Sequence, residues 1–205
     1  MSLVEELALL DEGTNAEATH YETGNWTKMT WASKGLTASA AGASFQSFGP
    51  ISGSYWSAAS FSHGGMTAKY VSGGLVSERW AALWACLNPA LHSGYRCQFL
   101  DQATENHWIV HIFKVVEGTP TELVASAEQT ETLVGAEIGF VVSAAGTLEA
   151  WWKPAAGAWT KLISVADATF NSGNVGLEGT GSNPKWETFK GGSAATVAAL
   201  LGMVV

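Results

Sequence analysis

Three kinds of side chain in this sequence could do chemistry: carboxylates, histidines and indoles. Retaining hydrolysis of a sugar chain needs two carboxyl groups about 5 Å apart, a separation that acidic residues alternating along one strand supply. The chain has three aspartates, Asp11, Asp101 and Asp167. No Glu stands two residues from any of them inside a strand-like run. Glu149, in TLEAWW, is a lone carboxylate and is expected as a solvated strand residue. His107 and His111 have a chelating spacing on a helix but lie about 13 Å apart along a strand, so they cannot share one ion there. Calcium asks for clustered oxygen ligands in loops. Asp101 with Glu105 and Asn106, in DQATEN, makes one such cluster, and Asp167 with Asn171 a thinner second. No nucleophile elbow, phosphate loop or dinucleotide fingerprint occurs, and neither cysteine neighbours a histidine. These residues argue against an enzyme, and no cofactor is expected beyond that weak calcium candidate.

Indoles are the remaining feature. Trp56, Trp84, Trp108, Trp151, Trp152, Trp159 and Trp186 lie on or beside strand-like runs. Most are expected to fill a core. The tandem Trp151–Trp152 must point to opposite faces of a strand, so one of the two turns away from the core. Flat indoles stack on sugar rings or anchor protein contacts. With Trp159 nearby and Lys153 and Lys161 on its rim, this hairpin is the candidate contact surface for a glycan or a partner protein.

Composition limits the elements that position these residues. The 205-residue chain carries 18 acidic and 10 basic side chains, a formal net charge of −8. That balance argues against a nucleic-acid binder, which normally shows a basic stripe. Charged residues are 14% of the chain, against roughly 25% in an average globular protein. Hydrophobic residues reach 47%, which excludes disorder. Short apolar or alternating runs are punctuated by HGG (63–65), SGG (72–74), EGTP (117–120), AAGT (144–147) and PAAG (154–157). Such spacing predicts strands separated by tight turns. The runs include 54–61, 79–87, 94–101, 107–116, 147–153, 158–164 and 173–179. The expected core includes Phe61, Tyr70, Leu83, Phe99, Val110, Ile112, Phe140, Val142, Leu148, Leu162, Phe170, Val175, Leu177 and Phe189.

The ends differ from the middle. Residues 1–25 are expected as a helix or arm: Ser2 and Glu5 form a capping box, with Leu3, Leu7 and Leu10 on one face. It packs on its own domain or docks on a neighbouring subunit. Residues 26–192 form one β domain. Residues 193–205 are an apolar tail without a charged side chain, shorter than the ~20 residues of a membrane span, and are expected to be buried or to lie in an intersubunit contact.

In the 79–101 hairpin, Trp80, Ala82, Trp84 and Cys86 alternate onto one face. If Cys86 faces Cys97, then Trp84 faces Phe99 in an apolar ladder. Whether the two sulfurs bond is a matter of geometry that the spacing leaves open.

From about Gly53 to Gly192 the chain resembles the concanavalin A-like, laminin-G-like jelly-roll superfamily. The resemblance is carried by AALWACLNPALHSGYRCQFLD (81–101), WIVHIFKVVEGTPTELVASAE (108–128), GAEIGFVVSAAGTLEAWW (135–152), DATFNSGNVGLEG (167–179) and KWETFKGG (185–192). It implies an all-β antiparallel sandwich and little about function, because this fold hosts lectins, glycan-binding modules, hydrolases and virus particle proteins.

Two functional readings follow. The first is a structural or adhesive surface protein of a bacteriophage virion, such as a capsid decoration, fibre or tail-surface subunit. It would be a homo-oligomer contacting other virion proteins and host glycans, made in the host cytoplasm without a signal peptide. The second is a lectin-like carbohydrate-binding module, and a glycoside hydrolase relative comes third.

Overall fold

Alternation of inward and outward residues builds two antiparallel sheets in this chain. A computed structural model describes residues 26–28, 37–39, 42–46, 52–57, 59–72, 80–101, 107–179 and 185–202. The helix or arm expected at 1–25 lies outside them. In chain order the elements are β1 (Trp26–Lys28), β2 (Thr37–Ser39), β3 (Gly42–Gln46), β4 (Ser52–Trp56), β5 (Phe61–Ser62), β6 (Gly64–Ser72), β7 (Trp80–Asn88) and β8 (Ser93–Asp101). There follow β9 (Trp108–Val116), β10 (Thr119–Ala125), β11 (Glu137–Val142), β12 (Thr147–Lys153), β13 (Thr160–Ala166), β14 (Ser172–Gly179), β15 (Lys185–Ser193) and the helix α1 (Ala194–Leu200).

One sheet has the order β1-β4-β14-β7-β8-β9-β10, with β5 also paired to β14; the other runs β13-β12-β11-β6-β15-β3-β2. The expected β-sandwich is therefore the observed architecture. Between the layers lie Trp56, Met66, Leu83, Phe99, Phe140 and Phe189, all buried. Of the expected core residues only Leu162 and Phe170 are half-buried, packed against its margin.

Three local departures from the sequence reading have physical causes. The run 54–61 is broken: β4 stops at Trp56, and Asn174 donates from Nδ2 to the Trp56 and Ala59 carbonyls, at 2.8 and 3.0 Å, to hold the connection. The strand expected at 158–164 begins at Thr160, leaving Trp159 in the preceding connection. The apolar tail is a helix where it is described. Ser193 caps α1 by accepting from the Thr196 amide, and Val197 and Leu201 pack on Val141 of β11.

The largest correction concerns the hairpin. Leu83 faces Cys97, and Trp84 faces Arg96 rather than Phe99. A bulge after Ala85 shifts the phase, with Cys86 at φ 53°. It fits because glycines stand on both sides. A Cβ on Gly94 would lie 2.9 Å from the Cys86 carbonyl oxygen, and one on Gly173 would lie 2.4 Å from its carbonyl carbon. Both glycines also hold positive φ, 150° and 152°. Cys86 and Cys97 are buried and unbonded. A one-residue slip moves a whole side-chain set to the opposite face of a strand. Cys86 thus points into the core while Trp80, Ala82 and Trp84 point outward.

Candidate functional site

Outward residues of the β4-β14-β7-β8-β9 region meet in two rows. Because β8 sends Tyr95, Cys97 and Phe99 into the core, Arg96 and Gln98 lie on its outer side. The register then aligns Tyr55, Gly176, Trp84, Arg96 and Phe113 across five strands. The adjacent row is Gly53, Glu178, Ala82, Gln98 and His111. Glycine and alanine hold three of these positions, and Ala82, Trp84 and Glu178 are fully buried.

Arg96 is the hub. Its guanidinium carbon lies 4.8 Å from the Trp80 ring centroid, 5.0 Å from Phe113 and 5.8 Å from Trp84. Arg96 Nη1 is 3.9 Å from Glu178 Oε1. Trp84 Nε1 donates to Glu178 Oε2. Arg96 Nε, Glu178 Oε1 and His111 Nε2 are buried and have no hydrogen-bond partner among the described residues. Buried polar atoms are ordinarily satisfied, so three orphans on one face call for an explanation. His111 is oriented through Nδ1, 2.8 Å from Glu122 Oε2, and its ring stacks on Phe113.

Burial sets the electrostatics. The Glu178 side chain is 1% exposed, against 12% for Arg96. Desolvation pushes the Glu178 carboxyl up to about 7, although Arg96 and the Trp84 N–H pull the other way. Burial likewise lowers Arg96, with Glu178 opposing. His92, whose ring lies 5.7 Å from Trp84, is lowered to about 4 by burial and then by Arg96, and so is neutral at pH 7.

The half-buried Tyr55, Trp80 and Phe113 rings beside Arg96 form a surface suited to a polyhydroxylated ligand: rings cover C–H faces, and the guanidinium donates to hydroxyls. Turnover would need a second carboxyl within about 5–9.5 Å of Glu178. On this face the other described carboxylate is Glu122 on β10, four strands away and thus about 19 Å distant.

The indoles singled out from sequence sit elsewhere. Trp152 turns into the core, 5.8 Å from the Trp108 ring. Trp151 turns outward, and with Trp159 it packs beside Val141, Val197 and Leu201 under α1. Lys161 Nζ lies 5.8 Å from the Trp151 ring and Lys153 Nζ 5.9 Å from the Trp159 ring. Both lysines are in ion pairs, Lys153 with Glu137 at 2.6 Å and Lys161 with Glu149 at 3.0 Å. Glu149 is therefore not the solvated residue expected: its side chain is largely buried and also accepts from Trp151 Nε1 at 3.2 Å.

Of the calcium candidates, Glu105, Asn106 and the Asp101 side chain lie outside the described residues; the Asp101 backbone ends β8. Asp167 is engaged by the protein itself: Tyr95 Oη donates to Oδ1 at 2.6 Å, and Lys114 Nζ to Oδ2 at 2.9 Å. Burial disfavours its charge, but hydrogen bonds from Thr169, Tyr95 and Lys114 outweigh that and hold it well below the usual carboxylate range. His107 and His111 pair with different partners, Glu128 and Glu122. Among the described residues no group of three or more His, Cys, Asp or Glu is placed to hold a metal.

A separate cavity of about 350 Å³ opens at one end of the sandwich, lined by Asn88, Ser93, Glu117, Phe170 and Asn171 among others. Its polar groups serve the fold. Asn88 Oδ1 accepts from the Ala90 and Leu91 amides, and Ser93 Oγ accepts from the Glu117 amide.

Sequence reading missed the Arg96 cluster. The available signal was alternation in GYRCQF and VGLE, which puts Arg96 and Glu178 outside once Tyr95, Cys97, Val175 and Leu177 are inside. The assumed Cys86–Cys97 pairing, which the bulge breaks, set Trp84 against Phe99 instead of Arg96.

No family model matches the chain, and no curated protein matches it in sequence. Solved structures do resemble it. The carbohydrate-binding module CBM66 from Bacillus subtilis aligns with a TM-score of 0.60 at 16% identity, covering 85% of this chain and all of that one (100%). The exoplasmic/lumenal domain of VIP36, in a Ca2+/Man3GlcNAc-bound form, aligns at 0.53 and 13% identity over 83% of this chain and 84% of that one. A prokaryotic β-1,3-1,4-glucanase (lichenase) from a mouse hindgut metagenome aligns at 0.58 and 6% identity over 85% and 95%. The shared property is the concanavalin A-like jelly-roll fold.

Proposed function

We propose that this chain is a carbohydrate-binding module that holds its glycan on the outer face of the β7-β8-β14 region. The observation that carries this reading is Arg96, half-buried among three aromatic rings and 3.9 Å from a buried carboxylate. A sugar would lie against the half-buried Tyr55, Trp80, Arg96 and Phe113 side chains, with the buried Trp84 and Glu178 positioning Arg96.

Of the readings the sequence leaves open, the fold neighbours favour this one over the virion subunit, since a carbohydrate-binding module and a glycan-bound lumenal domain are among them. The virion reading draws on the apolar ends and low charge of the sequence. The same face supports binding without turnover, because Glu178 has no described carboxylate partner at a hydrolytic distance. Among the described residues no helix is long and apolar enough to cross a membrane.

A glycan array probed with the full chain and with Arg96→Ala tests the proposal. The expected result is retention on at least one glycan by the parent chain and its loss in the variant. An array on which the parent chain binds nothing overturns it.

A further inference from the structure

We infer that the cavity at the end of the sandwich is a second binding site, built for a single N-acetylated sugar residue. It lies apart from the Arg96 face: Ser93, on its wall, is about 10 Å along β8 from Arg96. Its volume of about 350 Å³ falls within the range of small-ligand sites.

Backbone and surface both single this cavity out. Four non-glycine residues of the described chain hold positive φ: His63, Cys86, His92 and Glu117. Histidine enters that region comparatively readily, whereas cysteine and glutamate do not. Those two, at 53° and 47°, both line the cavity. Residues held in sparsely populated backbone regions gather where ligands are bound. Glu117 is the clearer case. With Gly118, at φ 79°, it makes the two-residue turn between Val116 and Thr119. A turn with positive φ at both positions favours Asn-Gly, so the glutamate serves something other than the turn. Leu91 and Val116 are two of the four exposed large apolar side chains among the described residues, at 54% and 47%. Both stand at this cavity, beside the half-buried Phe170.

The lining selects the ligand. Glu117 is its single charged side chain, which disfavours an anion. Asn88 Oδ1 is taken by the Ala90 and Leu91 amides, and Asn171 Oδ1 by Ser172 Oγ at 3.4 Å. Both Nδ2 donors and the Glu117 carboxylate make no hydrogen bond to another described residue, and all three side chains are on exposed residues. A ligand must therefore accept from two amides, donate to a carboxylate and set an apolar group against Leu91, Val116 and Phe170. An ammonium only donates, and a carboxylate only accepts. A plain hexose has the hydroxyls but no methyl group. An N-acetylhexosamine meets every demand: its acetamido carbonyl accepts, its hydroxyls donate, and its methyl covers the apolar wall.

Ligand-observed NMR titration of the full chain tests this, with free N-acetylglucosamine and N-acetylgalactosamine beside glucose, galactose and glucosamine. The expected result is saturable binding of at least one N-acetylated sugar, at least about fivefold tighter than its plain and amino counterparts. Arg96→Ala is expected to bind it as the parent chain does. Glu117→Asn installs the residue the turn favours, so its melting temperature should equal or exceed that of the parent while its affinity falls at least about fivefold. Val116→Ser, at an exposed position, is expected to weaken binding in the same direction. Equal binding of the plain hexose or of glucosamine overturns the inference. So does affinity that both cavity variants retain, or that Arg96→Ala abolishes, since the sugar would then sit on the sheet face. If neither N-acetylated sugar binds, the inference fails while the Arg96 reading, tested on extended glycans, still stands.

Discussion

Arg96 and Glu178 approach to 3.9 Å although a whole strand, β7, runs between theirs. The contact exists because Ala82 on β7 is small enough for the long Arg96 side chain to lean across it. Trp84 from the same strand then fixes the far carboxylate oxygen. One residue from each of three neighbouring strands thus forms a donor–acceptor unit on the outer face of the sheet.

Trp84 is expected to contribute through its N–H as well as its ring. Trp84→Phe keeps much of the apolar contact and removes the donor to Glu178. Leaving a buried carboxylate oxygen short of a donor costs about 1–3 kcal/mol, so the urea midpoint should fall accordingly. A midpoint equal to that of the parent chain contradicts the assigned hydrogen bond.

Glu178 and Asp167 predict opposite arms of the stability profile. Glu178 titrates near 7 when folded, above its ordinary 4.5. Its folded form therefore holds the proton more tightly, and the associated stability is full below about pH 4.5 and lost as pH rises through about 7. Asp167 is held down, so its contribution is present above its ordinary value of 3.8 and lost as pH falls below that. Melting temperatures should decline from about pH 5 to 8 less steeply in Glu178→Gln. Asp167→Asn should flatten the loss below about pH 4 instead. Slopes unchanged by the respective variants contradict these assignments.

Tyr95 joins β8 to the β13–β14 connection. Its hydroxyl donates to Asp167 Oδ1 at 2.6 Å and accepts from the Phe170 amide at 3.0 Å; burial and then the Asp167 hydrogen bond raise it to about 12. Tyr95→Phe strands the Phe170 amide and removes one of the two donors to Asp167 Oδ1, the Thr169 amide remaining, and is expected to cost about 1–3 kcal/mol in chemical denaturation. The glycan affinity should remain, because this network lies on the core side of β8.

Gly173 is the partner that makes the Cys86 bulge possible. In Gly173→Ala the new Cβ would meet backbone atoms of Cys86 and Leu87 at 2.4–2.7 Å, with no flexible side chain to yield. A loss above about 3 kcal/mol or failure to fold is expected. Circular dichroism and the melting temperature read this directly, and parent-like stability would mean the bulge is misplaced.

Strand positions were legible because alternation and turn residues are local signals. The opposite orientations of Trp151 and Trp152 were legible for the same reason. Register was not. The expected Cys86–Cys97 ladder assumed an unbroken β7, whereas the extra residue at Cys86 separates Cys86 from the face of Trp80, Ala82 and Trp84 and leaves Trp84 opposite Arg96. That displacement depends on Gly94 and Gly173, and Gly173 lies almost ninety residues along the chain, so no local pattern announces it. The C-terminal helix was hidden by its composition: in AATVAALL (194–201) the large apolar residues it buries are Val197 and Leu201, and its partner surface includes the space above Gly139.

The two faces of the sandwich separate cleanly in one experiment. Calorimetric titration of the best-bound glycan into the parent chain, Arg96→Ala and Trp151→Ala tests where the ligand sits. The expected result is saturable binding by the parent, at least tenfold weaker binding by Arg96→Ala (about 1.4 kcal/mol or more), and unchanged affinity in Trp151→Ala with a lower melting temperature. Affinity that survives in Arg96→Ala but collapses in a folded Trp151→Ala would contradict the account and move the site to the opposite sheet.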